Sequence, residues 1–208
     1  PDVKDGKFVP FEVFGIKAMS IGFLVNEDQA VVWRGPMLAK GLDGLINKTH
    51  WDELDYLIVD FPPGTGDVQI SMSQKLKLNG TLIVTTPQLL SLKDVIRGIN
   101  MFIKVGVPIL GVIENMSYLE EEGKKKYIFG ESKTKQLLLK ENINLLEELP
   151  FNINIPKSCD EGKPYCYDFK DDYSSKFQSI TNQITKKLQN KEIFILNLFS
   201  ISLISLKD

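Results

Sequence analysis

The run Leu57-Ile58-Val59-Asp60-Phe61-Pro62-Pro63-Gly64-Thr65-Gly66-Asp67 changes character at its fourth residue. Tyr56 to Val59 is continuously apolar, as in a strand buried on both faces of a parallel sheet. Asp60 closes that strand. Ligands of open α/β sheets bind beyond the carboxyl ends of the strands, so Asp60 stands where a ligand would lie. An acid there suits Mg²⁺, held directly or through a water, with the metal bridging the β- and γ-phosphates of a nucleotide. Pro62 and Pro63 stiffen the exit from the strand. Gly64 and Gly66 let backbone N–H groups approach an anion with no Cβ in the way. Such a loop can follow the γ-phosphate and move when it leaves. Thr65 and Asp67 are candidates for orienting a water or capping the next helix. The plain alternative is a strand-end Asp60 that only caps the helix starting near Val68.

Further runs extend the pattern. Met19 to Val25, Thr81 to Thr85 and Pro108 to Ile113 read as strands. Segments 35–47, 68–78, 91–105, 132–142 and 173–189 read as helices. In 91–105, Leu92, Val95, Ile96, Ile99 and Phe102 share one helical face, and Ser91 with Asp94 resembles a capping box. Strands alternating with helices imply an α/β fold, an open and mostly parallel sheet with helices on both faces and right-handed crossovers. No repeat or domain-dividing linker is visible. Glu120 to Lys126 is a charged turn, read as a solvated loop.

The composition excludes several classes. At 208 residues and 43% hydrophobic content the chain supports one sizeable core. A net charge of −2 and a pI of about 5.6 give no footprint for nucleic acid. The single histidine, His50, rules out a multi-histidine metal site. Cys159 and Cys166 match no common zinc or redox spacing, which suggests a reducing, cytoplasmic setting. The first residue is Pro1, no signal peptide is visible, and the chain reads as a piece of a longer product. The apolar tail Ile193 to Leu206 is shorter than the roughly 20 residues of a membrane span. It lacks a basic face, so no membrane partner is expected. It would be a docked strand, a short helix or a divergent tail, and aggregation-prone if exposed.

The string from Trp51 to Asp67 resembles the switch II region of the Mrp-type ATPases, iron–sulfur cluster carriers in the MinD/ParA-like branch of P-loop proteins. Gly15 to Val25, Trp33-Arg34-Gly35-Pro36-Met37, Val84 to Gln88, Gly111 to Tyr118, Ile128-Phe129-Gly130 and Asp160 to Pro164 follow in the family's order. The resemblance runs from about Gly15 to Leu188. It implies a P-loop NTPase fold, incomplete at its N-terminus, over residues 1–190, with 191–208 as an atypical tail. It implies ATP and Mg²⁺ as ligands and a homodimer switched by ATP. Iron–sulfur apoproteins or scaffolds would be its partners, and ATP hydrolysis would be coupled to cluster transfer. Asp60 would be the Mg²⁺-linked acid, with Gly64 and Asp67 in the catalytic switch loop. Asn115 would read the adenine edge, for which an amide donates and accepts in one plane. Pro150, closing Leu145 to Pro150, would border the base. Arg34 would touch phosphate or a dimer interface, a surface ion pair being the equal alternative.

Two departures bear on activity. No Gly-x-x-x-x-Gly-Lys-[Ser/Thr] occurs; the family's phosphate loop would lie upstream of Gly15. Loss of its strand would expose neighbouring sheet edges and leave a marginal fold unless a partner chain filled the gap. The family's Cys-x-x-Cys, which would hold a bridging [4Fe–4S] cluster, is replaced by Leu119 to Tyr127 with no cysteine, so no cluster ligands are identified. Two further readings stay open: a non-catalytic binding module, and a MinD/ParA-like positioning ATPase.

Overall fold

The computed structural model describes residues 1–24, 35–61, 64, 66–188 and 194–200. The sequence reading of Arg34, Pro62, Pro63 and Thr65 falls outside them. Five parallel strands form the central sheet: β5 (Tyr56–Asp60), β6 (Gly80–Thr85), β7 (Ile109–Glu114), β10 (Leu145–Glu148) and β11 (Phe194–Ser200). Their order is β10-β7-β6-β11-β5. Three small antiparallel hairpins lie outside it: β1 (Val3–Lys4) with β2 (Lys7–Phe8), β3 (Phe11–Val13) with β4 (Ile16–Ala18), and β8 (Leu119–Glu121) with β9 (Lys124–Lys126).

Helices cover both faces, as expected. Successive strand residues point to opposite sides. Val59, Ile83 and Val112 face one core with Met72, Val95, Ile99 and Phe102. Those partners come from α2 (Asp67–Lys75) and α3 (Leu89–Lys104), beside α1 (Gly35–Asn47). Leu82, Leu110 and Ile113 face the other core with Tyr173, Ile180 and Ile184 of α7 (Asp172–Lys187). Each large side chain so buried contributes about 1.5–3 kcal/mol. The short helices α4 (Thr134–Lys140), α5 (Asn154–Asp160) and α6 (Tyr165–Asp168) complete the chain. None of the described helices is long and apolar enough to cross a membrane.

Several local expectations are corrected. Met19 to Val25 does not read out as a strand where it is described; Ile21–Leu24 is a 3-10 turn. Ser20 Oγ accepts the N–H of Gly22 at 3.1 Å, and such side-chain bonds compete with strand geometry. The expected capping box at Ser91 is absent. Its helix starts earlier, at Leu89, and Ser91 Oγ bonds Thr86 Oγ1 at 2.8 Å instead. β6 is buried apart from the half-buried Val84, as its run implies, but β5 is not: Tyr56 is 39% and Ile58 67% exposed. β5 is the edge strand, and α7 packs against β10 and its neighbours at the far side. The helix read over 132–142 is shorter, Thr134–Lys140, with Lys133 as its N-cap. The charged turn is an exposed hairpin, held by the Lys126–Glu121 ion pair.

The gap expected in the sheet is filled from within the chain. β11, from the apolar tail, pairs in parallel with β5 on one side and β6 on the other.

Candidate functional site

Parallel strands bring their carboxyl ends to one edge, where the candidate residues collect. Asp60 is the last residue of β5 and opens to solvent. Partial burial nevertheless raises its carboxyl above the usual carboxylate range. That direction leaves its charged form under-compensated, a state that a bound cation would relieve. Gly64 has φ +108°, a conformation that L side chains rarely adopt, so the loop is built around glycine at that point. Gly66 is the N-cap of α2 without a side-chain cap bond, and Asp67 is the first residue of that helix. The capping role weighed for Asp67 is therefore taken by Gly66 backbone, whose carbonyl accepts the N–H of Ile70 at 3.2 Å.

The base side of the edge is more tightly built. The N–H of Asn115 donates to Thr85 O at 2.7 Å, joining the ends of β7 and β6. Asn115 Oδ1 accepts the N–H of Met116 at 3.0 Å, and Met116 turns the chain with φ +53°. Asn115 thus also serves a turn. An amide oxygen has a second lone pair and the amide nitrogen two donors, so the turn does not use up the group. Pro150 lies in a segment strapped on both sides. Leu149 N–H donates to Glu114 O at 2.8 Å, and Phe151 N–H to Tyr118 O at 2.7 Å. A cleft of about 330 Å³ opens beside Pro150, with Leu119, Phe151 and Tyr173 in its wall.

Register gives the edge a stepped outline. Asp60 is level with Leu198, Leu198 with Leu82, and Leu82 with Gly111. Asp60 therefore stands lower on the ladder than Thr85 and Asn115. Three strand spacings, about 14 Å in all, separate the two sides. Sheet topology brings Asp60, Gly64, Asn115 and Pro150 to this edge.

Glu114 was not singled out from sequence. It is fully buried and accepts hydroxyl bonds from Ser117 at 2.5 Å and from Ser132 and Thr134. It thereby closes the chain from β7 to α4 at the root of the β8–β9 hairpin, next to Asn115. The signal in the sequence is an acid ending the apolar run Ile109 to Ile113, with Ser or Thr nearby.

Cysteine chemistry is absent from the hairpin. Lys125 Nζ sits 4.0 Å from the centre of the Tyr118 ring. Cys159 and Cys166 are free thiols on α5 and α6. No group of three or more metal-ligating side chains occurs among the described residues.

An open parallel sheet with helices on both faces and an acid at a strand's carboxyl end define an α/β fold of the P-loop type. A nucleotide-binding protein of Archaeoglobus fulgidus, solved in complex with ADP, shares this fold. Its TM-score is 0.68 at 34% identity, over 83% of this chain and 68% of that one. Residues 1–188 match the ParA family of NUBPL iron-transfer P-loop NTPases, and the chain belongs to that family. The iron-sulfur cluster transfer protein NUBPL of Dictyostelium discoideum is 44% identical over 88% of this chain and 58% of that protein. An iron-sulfur cluster carrier protein of Haemophilus influenzae is 46% identical over 74% of this chain and 42% of that protein. The chain thus spans roughly half the length of these relatives.

Proposed function

We propose that this chain is the switch and base-binding part of an ATP-dependent iron–sulfur cluster carrier, with ATP hydrolysis coupled to cluster loading or transfer. Asp60 at the carboxyl end of β5, on one edge with Asn115, carries this reading. The residues present suit the metal and the base of a Mg-nucleotide. Asp60 would hold Mg²⁺ through water, with Gly64 and Asp67 in the loop that follows the γ-phosphate. Asn115 and Pro150 would hold the base. The phosphates themselves need a glycine-rich loop with a lysine, which this sequence does not contain. When bound, Mg²⁺ would neutralise developing charge on the phosphates.

The cluster is the cargo, and the hairpin has no thiolate to hold it. Carboxylates and lysines do not replace thiolates for iron–sulfur ligation. A homodimer, apoprotein or scaffold partners and a reducing, cytoplasmic setting belong to this reading, with neither nucleic acid nor membrane. Calorimetry with Mg-ATP tests it. Binding that is lost in Asp60→Asn without Mg²⁺-independent change elsewhere supports the reading. Binding that is equal in both chains refutes the role of Asp60. The cysteine-free hairpin favours a second reading, a non-catalytic binding module. Micromolar Mg-ATP affinity would reject that alternative. Liposome co-sedimentation separates off a MinD/ParA-like positioning ATPase, which lipid-dependent pelleting would favour.

A further inference from the structure

Three separate segments build the cleft beside Pro150: Leu119 and Glu120 at the start of β8, Pro150 to Ile153 after β10, and Asp171 to Tyr173 at the start of α7. Among the described residues that line it, Pro150 alone belongs to the candidate nucleotide site. Its charge is wrong for a phosphate. Glu120, Asp171 and Asp172 line it, and no lysine, arginine or histidine does so among the described residues. The N-terminus of α7 offsets only about half a charge. Nearby cations are engaged elsewhere. Lys125, level with Glu120 across the hairpin, lies over the Tyr118 ring, and Lys176 pairs with Glu147. Asp171 is occupied by the Ser174 N–H and the Tyr165 hydroxyl. The carboxylates of Glu120 and Asp172 are exposed and make no hydrogen bond or ion pair with another described residue.

The rest of the lining is mainly apolar, and Phe151 and Ile153 within it are exposed. Tyr173 joins the cleft to an aromatic row. Its ring lies 5.5 Å from Tyr165 and 5.4 Å from Phe177, and Tyr165 stacks on Phe169 at 4.6 Å. Phe169 and Phe177 are exposed, so apolar surface runs on past the cleft, further than a small cation could cover. Aromatic walls beside unpaired carboxylates favour a guanidinium, which stacks on rings, is weakly hydrated and forks onto carboxylates. A volume of about 330 Å³ admits a short segment.

We propose that this cleft is a docking site for a partner polypeptide that inserts an arginine flanked by apolar residues. The guanidinium pairs with Glu120 and Asp172, and the apolar flanks cover Leu119, Phe151 and Ile153. The complementary charge and the apolar surface around it are what select this occupant. The site stands whether or not the nucleotide reading holds.

The probe is a fluorescein-labelled peptide, Gly-Ala-Leu-Arg-Phe-Ala-Gly, titrated with the full chain at low salt and read by anisotropy. Citrulline in place of its arginine keeps the shape and removes the charge. That peptide is expected to bind about tenfold more weakly, and a lysine peptide about threefold more weakly. Glu120→Gln and Asp172→Asn should each weaken the arginine peptide about two- to fivefold, as for one exposed ion pair, and leave the citrulline peptide unchanged. Phe151→Ala should weaken both peptides. The charge-dependent losses should shrink in high salt. Glu12→Gln removes the same charge from β3, outside the cleft, and should leave affinity unchanged.

Equal binding of the arginine and citrulline peptides overturns the proposal, as does an equal loss in Glu12→Gln or the absence of saturable binding by any of the peptides. If spermidine displaces the peptide and Phe151→Ala leaves its affinity unchanged, the cleft takes a small polycation and the polypeptide assignment falls. Displacement by Mg-ATP would put the cleft inside the nucleotide site and overturns it too. Arginine-dependent uptake by a chain that binds no Mg-ATP leaves the docking site standing and sinks the nucleotide reading alone.

Discussion

Replacing Glu114 by Ala tests whether the buried hub at the end of β7 holds the base side together. The carboxylate has no exposed surface and three hydroxyl donors, from Ser117, Ser132 and Thr134. A hydrogen bond to a charged group contributes about 1.5–3 kcal/mol, so independent bonds would sum to about 5–9 kcal/mol. They are not independent. Ser132 Oγ also lies 2.9 Å from Thr134 Oγ1, so its single proton is shared between that oxygen and the carboxylate, and it accepts the N–H of Thr134 at 3.1 Å, so part of the network survives. Glu114→Ala should therefore cost about 3–5 kcal/mol, the range for breaking a buried polar network. Glu114→Gln keeps the shape and one acceptor oxygen, and serine and threonine hydroxyls can rotate to accept from the new amide. It should cost about 1–2 kcal/mol. Urea unfolding followed by circular dichroism reads both values, and the Ala variant should melt about 6–20 °C lower for a chain of this size. Amide exchange should quicken at residues 132–134 in the Ala variant. A loss under about 1 kcal/mol for Glu114→Ala, or equal losses for Ala and Gln, would refute the hub.

Gly111→Ala should destabilise by about 2–4 kcal/mol, since its Cβ would lie 2.5 Å from Leu146 Cγ at φ +155°. Adding Leu146→Ala should recover part of that overpacking in a double-mutant cycle; strict additivity of the two losses would refute the clash. Asp171 caps α7 through the N–H of Ser174 at 2.9 Å and accepts the Tyr165 hydroxyl at 2.6 Å. The Tyr165 bond first, and the Ser174 N–H next, hold its carboxyl below the usual range. A depressed folded value gives stability that is present above the unfolded carboxylate range and lost as pH falls through the folded value. Asp171→Ala should therefore cost about 1 kcal/mol at neutral pH, and the two unfolding curves should converge in acid. A difference that is constant with pH would contradict this.

The elements legible in the sequence are those whose own residues carry the signal. β6 and β7 are continuous apolar runs with burial to match, and α3 shows its buried stripe at Leu92, Val95, Ile99 and Phe102. The place of Asp60 at the end of β5 was readable from the apolar run before it, whereas Asn115 and Pro150 were singled out by the family resemblance and not by a local signature. β10 was not found as a strand: Leu145-Leu146-Glu147-Glu148 looks like a loop, and its acids are accommodated by surface cations, Lys176 at 3.0 Å from Glu147 and Lys135 at 2.9 Å from Glu148. The exposure of Tyr56 and Ile58 depends on which strand lies at the edge, which is a fact of topology and not of the run itself. The two N-terminal hairpins turn on Asp5-Gly6 and Phe14-Gly15, where positive φ at both residues reverses the chain within two positions. Glu114 was hidden because a buried acid is only stable once distant hydroxyls converge on it.

The position of β11 also bears on how the sheet is completed during synthesis. Tyr56 pairs with Phe194, and Gly80 with Leu196, so the middle of the sheet joins residues made early to residues made late. Such pairings carry a large loop-closure cost and form slowly. On the ribosome, β6, β7 and β10 can assemble with α3 and α7 while β5 waits unpaired for the last described strand to emerge. The nascent chain thus holds two matched open edges throughout this interval, and the order of translation makes Asp60 the last of the candidate residues to be set in place.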